Sequence, residues 1–177
     1  MSACNILFAG FGGQGILFAG KFVAYKGLLE NKQVSWLPSY GPEMRGGTAN
    51  CSVIVSDEPI GSPIVGKPDV LVAMKLPSLD KYENEVVPGG KIFIDSTLIT
   101  RKVERTDVDV YYIPSTQIAN EQGMSTLANM IITGKLLKEV PMLGFDNIDA
   151  PLNKVVSARK QNLLEVNKTA LKLGYDY

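Results

Sequence analysis

Cys4-Asn5-Ile6-Leu7-Phe8-Ala9-Gly10-Phe11-Gly12-Gly13-Gln14-Gly15 decides the fold: an apolar run leads through clustered glycines into the apolar-periodic stretch 16–29. Residues 4–9 read as a buried parallel strand. Residues 14–30 carry Ile16, Leu17, Gly20, Val23, Ala24, Gly27 and Leu28 at helical spacing. Gly20 and Gly27 cost helix stability and are expected to let the helix pack closely on a sheet. A strand that turns through glycines into a helix aims backbone N–H groups and the positive end of the helix dipole at one point, which attracts an anion. Gly10, Gly12 and Gly15 match G-x-G-x-x-G.

The same pattern also describes a tight turn whose glycines serve packing alone. A nicotinamide or flavin site wants an acidic residue about 20 positions further on, at the end of the second strand. Val34, Ser35, Trp36 and Leu37 stand there instead, which argues against an ordinary dinucleotide site. Residues 15–21 fit G-x-x-x-x-G-K, yet Phe22 follows where a magnesium-binding Ser or Thr is needed.

Further strands are expected at 33–37, 48–56, 69–74, 91–95 and 108–113. Helices are expected at 77–84, 115–122, 125–139 and 157–173. Ser125 and Ser157 are candidate N-caps, and Gly123 and Gly174 candidate C-terminal stops. Strands alternating with helices predict a single-domain α/β fold over residues 1–177. It is a three-layer Rossmann-like arrangement with a mostly parallel sheet, helices on both faces and a helical C-terminal third.

Ligands in such folds sit at strand carboxyl ends, so residues 10–15 and 39–47 are expected to lie near each other. The second segment reads Ser39-Tyr40-Gly41-Pro42-Glu43-Met44-Arg45-Gly46-Gly47. Its prolines and glycines rule out regular structure. Arg45 beside Gly46 and Gly47 can present a planar fork to a carboxylate or phosphate, and Glu43 can orient it or meet a partner subunit. A solvated surface turn is the plainer reading. Asp95-Ser96-Thr97 ends a strand near the same crevice, to supply polar contacts or to cap the next segment. Asn129 is a candidate to cap or line the crevice.

Eighteen basic and eighteen acidic residues cancel, which argues against a polyanion-binding face and so against nucleic acid. The chain has no histidine, excluding Ser-His-Asp and Cys-His catalysis within it. Two cysteines cannot supply four-thiolate cluster ligation, and no metal site is expected. Cys4 and Cys51 sit in apolar strand-like runs and read as reduced core residues of a cytoplasmic protein. No apolar run reaches membrane-spanning length, and the N-terminal stretch does not read as a signal peptide.

Together the segments 10–15 and 39–47 resemble the gamma subunit of 2-oxoacid:ferredoxin oxidoreductases, the group of pyruvate, 2-oxoisovalerate and 2-oxoglutarate enzymes. The likeness continues through Pro68-Asp69-Val70-Leu71-Val72, Pro88-Gly89-Gly90 and Ile113-Pro114-Ser115-Thr116 to Ala128-Asn129-Met130. The second segment is most similar to the 2-oxoglutarate type. The resemblance implies oxidative decarboxylation of a 2-oxoacid to acyl-CoA, CO2 and reduced ferredoxin or flavodoxin. It implies thiamine diphosphate, magnesium and iron–sulfur clusters on alpha and beta subunits, with delta as an optional further subunit. No catalytic residue is expected on this chain alone. Gly10, Gly12, Gly13, Gln14 and Gly15 are then expected to cradle a phosphate of coenzyme A. Ser39, Tyr40, Glu43, Arg45, Gly46 and Gly47 are expected at an interface near the thiamine site. The isolated chain is expected to be compatible with a homodimer. A stand-alone Rossmann-like nucleotide-binding module and a purely structural assembly subunit remain the alternatives.

Overall fold

The computed structural model describes residues 2–39 and 48–177. In chain order the elements are β1 (Ala3–Phe11), α1 (Ile16–Leu29), β2 (Gln33–Ser39), β3 (Thr48–Ser56), β4 (Val70–Ala73) and α2 (Leu76–Tyr82). They continue with β5 (Lys91–Asp95), β6 (Asp109–Ile113), α3 (Ser115–Glu121), α4 (Ala128–Glu139), α5 (Asp149–Val155) and α6 (Leu163–Asp176). The six strands form one sheet in the order β2-β3-β1-β4-β5-β6. β1, β4, β5 and β6 are parallel neighbours, while β3 runs antiparallel to both β1 and β2. β2 therefore points the same way as β1, and the expected mostly parallel α/β sheet is borne out.

Side-chain alternation splits β1 between two cores. Cys4, Ile6 and Phe8 face one core with Phe22 and Val23 of α1 and Ile131 and Leu137 of α4. Leu7 and Ala9 face the other with Leu79 of α2, Val86, Ile92 and Ile94. Both faces are covered, unequally. α1 and α4 lie on the first face, with α6 packed on α4 and α5 on α1. The second face carries α2.

The close packing expected of Gly20 and Gly27 is borne out. A Cβ at Gly20 would collide with Cys51 Sγ, and one at Gly27 would come 2.9 Å from Val55 Cγ1. Gly123 does end a helix. At φ 69° it follows α3, with its N–H on Asn120 O and the Met124 N–H on Ala119 O, a Schellman pair.

Other boundaries differ from the sequence expectation. β1 runs on to Phe11 because β3 pairs with it as far as Thr48. α4 starts at Ala128 with Leu127 as its cap, not at Ser125. The chain first turns to bury Met124, and Leu127 N–H closes that turn on Met124 O at 2.9 Å. The helix expected from Ser157 is instead a 3-10 turn, Ala158–Lys160, followed by α6. α5 was not anticipated. Gly174 does not stop α6 but lies inside it, where a Cβ would collide with Ile131 O. A Cβ at Gly134 would likewise strike Leu171 O. These two glycines set the closeness of α4 to α6.

Lys26 is buried on α1, 1% exposed. Its ammonium meets Glu30 Oε1 at 2.5 Å and the Asp146 carbonyl oxygen at 2.6 Å. Removing one partner of such a buried charge typically costs about 3 kcal/mol or more. The contact ties α1 to the segment between α4 and α5.

Gly174→Ala separates the competing terms. Helix propensity favours alanine by about 1 kcal/mol. The new methyl meets backbone, which no rotamer change relieves, and overpacking of this kind costs about 1–3 kcal/mol. The expected net loss is about 1 kcal/mol, lowering Tm by about 3 °C in thermal denaturation. An unchanged or raised Tm would show that α4 and α6 separate without cost.

Candidate functional site

The chain leaves β1 at Phe11 and turns through Gly12 and Gly13, both exposed, into α1. Gln14 fixes the turn. Its Oε1 accepts the Phe11 N–H at 2.7 Å, and its Nε2 donates to Met74 O at 3.1 Å. The loop after β1 is thereby held against the end of β4. Gly10 is buried in the strand, where a Cβ would come 2.5 Å from Gln14 Oε1. Gly15 caps α1 at φ 72°, and any Cβ there would strike the Asn129 side chain. The three motif glycines thus divide their work. Gly10 and Gly15 make room for Gln14 and Asn129, and Gly12 with Gly13 forms the exposed arc.

The Gly15 carbonyl accepts both the Ala19 N–H and Asn129 Nδ2, each at 3.0 Å. α1 has no side-chain N-cap and no acidic residue in its first turn. Among the described residues, no acceptor meets the N–H groups of Ile16, Leu17 or Phe18. Four such groups open every α-helix and carry its positive end. This terminus is therefore electropositive and unneutralised within the described structure. Asn129 Oδ1 is buried without a hydrogen-bond partner. A cavity of about 340 Å³ lies alongside, lined by Gly15, Phe18, Asn129, Ser157, Lys160 and Asn167 among others.

β1 and β4 are parallel neighbours whose following helices go to opposite faces of the sheet. That divergence opens a crevice outside their carboxyl ends, where doubly wound sheets bind ligands. Lys75 stands on the β4 side of it, half-buried, its ammonium 5.4 Å from the centre of the Phe11 ring. Sequence reading passed over Lys75, because only the strand order makes β1 and β4 neighbours. Gln14 as a clamp was likewise hidden until the fold joined it to Met74, whereas Asn129, a sequence candidate to cap or line the crevice, is found bonded to the Gly15 carbonyl.

Ser39 ends β2 opposite Asn50 of β3, and Asn50 in turn faces Ala9 of β1. Two inter-strand spacings, about 10 Å, separate Ser39 from Ala9 on the same rim. The two glycine-rich segments therefore depart from one end of the sheet. Asn50 Nδ2 also donates to the Tyr82 hydroxyl at 3.2 Å, joining β3 to α2 at that rim. Tyr40, Glu43, Arg45, Gly46 and Gly47 lie outside the described residues.

The missing acidic residue has a topological explanation. β3 intervenes between β1 and β2, so the end of the second strand is one place removed from the glycine loop. Asp95 resolves as an internal tie. It is fully buried, its Oδ1 accepts the Thr97 N–H at 3.1 Å, and its Oδ2 accepts the Thr116 hydroxyl at 2.5 Å. A larger cavity, about 580 Å³, opens at the opposite, amino-terminal end of the strands between Cys4, Val70, Gly90 and Pro141. It shares nothing with the glycine loop.

Among the described residues no three His, Cys, Asp or Glu side chains gather as a metal site, and no helix is long and apolar enough to cross a membrane. Cys4 and Cys51 are free and buried. Burial, with the Asp69 charge behind it, pushes the Cys4 thiol up to about 12. Burial likewise pushes Cys51 up to about 12.

This fold, with its glycine loop at the sheet's switch point, defines a class. The chain belongs to the pyruvate ferredoxin/flavodoxin oxidoreductase family, the match running over residues 5–177. It is 35% identical to the 2-oxoglutarate synthase subunit KorC of Methanocaldococcus jannaschii, covering 97% of this chain and 92% of that one. It is 37% identical to the ketoisovalerate oxidoreductase subunit VorA of Methanothermobacter thermautotrophicus over 98% of this chain, but spans only 36% of that relative's length. Among solved structures it is similar to the gamma subunit of a keto/oxoacid ferredoxin oxidoreductase from Geobacter sulfurreducens. There the TM-score is 0.80 at 28% identity, with 98% and 96% of the two chains covered. The resemblance to gamma subunits drawn from the sequence is borne out. The fold recurs, at TM-score 0.86 and 23% identity, in the 2-oxoglutarate:ferredoxin oxidoreductase of Magnetococcus marinus, solved with 2-oxoglutarate, coenzyme A and succinyl-CoA bound. This chain covers 31% of that one and is itself 99% covered.

The raised thiol values give a measurable consequence. At pH 8 the native protein leaves both cysteines unalkylated over a time that labels both in guanidinium, since thiolate is the reactive form. Unfolded thiols ionise above about pH 9 and the buried ones resist until about 12. Stability present below pH 9 is therefore lost above it, by about 1.4 kcal/mol per thiol for each pH unit. Rapid native labelling at pH 8 would contradict the burial.

Proposed function

We propose that this chain is the gamma-type subunit of a 2-oxoacid:ferredoxin or flavodoxin oxidoreductase and contributes a phosphate cradle for coenzyme A. The observation that carries the reading is the uncapped, acid-free N-terminus of α1 behind the exposed Gly12–Gly13 arc. Backbone N–H groups and a helix dipole recognise phosphate without regard to the rest of the molecule. Membership of the oxidoreductase family favours coenzyme A over NAD. The bound coenzyme in the Magnetococcus enzyme is in keeping with this choice.

In the reaction, a 2-oxoacid and coenzyme A give acyl-CoA and CO2 while two electrons pass to the acceptor. Thiamine diphosphate, when bound, supplies the carbanion chemistry of decarboxylation. Two buried thiols pushed up to about 12, with no histidine, do not suit cluster ligation or proton transfer. Thiamine diphosphate, magnesium and the clusters are therefore assigned to alpha, beta and, where present, delta subunits. Residues 1–177 are taken as one gamma-type domain, without catalytic residues of its own. The cytoplasm is the proposed compartment, and a homodimer the proposed form of the isolated chain. For substrate we favour 2-oxoglutarate, on the 39–47 segment and the full-length likeness to KorC. Ser39, Tyr40, Glu43, Arg45, Gly46 and Gly47 are assigned to the interface near the thiamine site, with Arg45 facing an anionic group or a partner carboxylate.

Co-purification comes first: larger thiamine-binding subunits and cluster absorption are expected, whereas a lone colourless monomer would favour a stand-alone nucleotide module. In the assembled enzyme, Gly12→Val should raise the KM for coenzyme A about tenfold, the loss of one charge-assisted contact. Unchanged KM and turnover would sink the cradle. Arg45→Ala should lose assembly or turnover, and normal behaviour in both would remove that loop from the site.

A further inference from the structure

At the carboxyl ends of β1 and β4 stands a charged side chain, Lys75, that the function so far leaves idle. Lys75 follows β4 after Met74, and its backbone is pinned because its carbonyl accepts the Ser78 and Leu79 N–H groups at the start of α2. The neighbouring residue is pinned as well, through Met74 O and Gln14 Nε2. The side chain returns toward the glycine loop and sets its ammonium over the Phe11 ring, between Gly10 and Gly12 in sequence. Among the described residues no carboxylate pairs with it. Other lysines near carboxylates do pair: Lys91 with Asp109 at 3.0 Å and Lys172 with Asp176 at 2.7 Å.

A half-buried ammonium over Phe11, at one end of the glycine loop, and an unneutralised helix N-terminus at the other raise the local potential together. Two positive sources flanking one loop suit a ligand with adjacent negative charges better than a single phosphate or carboxylate. The Phe11 ring already holds the ammonium at the rim, which limits the entropy lost when it engages.

We propose that Lys75 is the cation that meets the pyrophosphate of the ligand seated at Gly12–Gly13, giving the site its preference for diphosphate-bearing ligands. The inference rests on the coenzyme A reading and adds to it a specificity-determining residue.

The test uses the assembled oxidoreductase with Lys75→Met, Lys75→Arg and, in parallel, Gly12→Val. The KM for coenzyme A is measured, together with inhibition constants for ADP, which carries a pyrophosphate, and pantetheine, which carries none. Lys75→Met should raise the coenzyme A KM and the ADP constant about tenfold, flatten their dependence on salt, and leave pantetheine unchanged. Lys75→Arg should hold both near the parent values. An equal weakening of pantetheine would make Lys75 a support for the loop and overturn the proposal, as would no change in any constant. If Gly12→Val weakens coenzyme A while Lys75→Met does not, the lysine assignment alone falls. If neither variant changes coenzyme A or ADP, the cradle itself falls with it.

Discussion

The Gln14 carboxamide is the contact on which the site depends. A loop of glycines has no side chains to hold it, and left alone it would sample many conformations at an entropic cost on binding of about 1 kcal/mol or more per residue. Gln14 removes that freedom by accepting from Phe11 N–H and donating to Met74 O. One side chain thus closes the turn and bolts it to the neighbouring strand. Gly10 is glycine because Gln14 lies over it, and Gly15 is glycine because Asn129 reaches beneath it. The arc presented to the crevice is left with bare backbone and a fixed shape. Such preorganisation lets weak individual donors act together.

How much of this was legible follows from which interactions are local. β1, the turn and α1 were readable because period, glycine content and the switch to helical spacing all lie within one stretch. Gly20 and Gly27 were readable as packing glycines for the same reason. Strand order was not. The alternation of residues 48–56 is the same whichever way the strand runs, so nothing in it announced that β3 lies antiparallel between β2 and β1. The acidic-residue argument consequently searched the end of a strand that is not beside the glycine loop. The residues at the end of β2 therefore do not bear on what the loop binds.

The C-terminal third shows the opposite limit. Its helical character was plain, yet its boundaries depended on tertiary burial. Ser125 has good capping chemistry, but the core takes Met124 first and the helix starts later. Gly174 looks like a stop because glycine often ends helices. Only the neighbouring backbone of α4 shows that its missing side chain is the point. Lys75 and Asn129 belong with these cases. Neither has a motif, and both acquire meaning from a neighbour distant in sequence: Asn129 lies 114 positions from Gly15.

Lys26 recognises a carbonyl at position 146, not a side chain. Every amino acid supplies that oxygen, so the exposed Asp146 is free to drift among relatives while Lys26 is held. The contact asks for a lysine at position 26 and for no particular side chain at position 146. Methods that infer contacts from correlated substitution would find no covariation there. One of the tightest anchors of α1 would leave no trace in the record of paired changes.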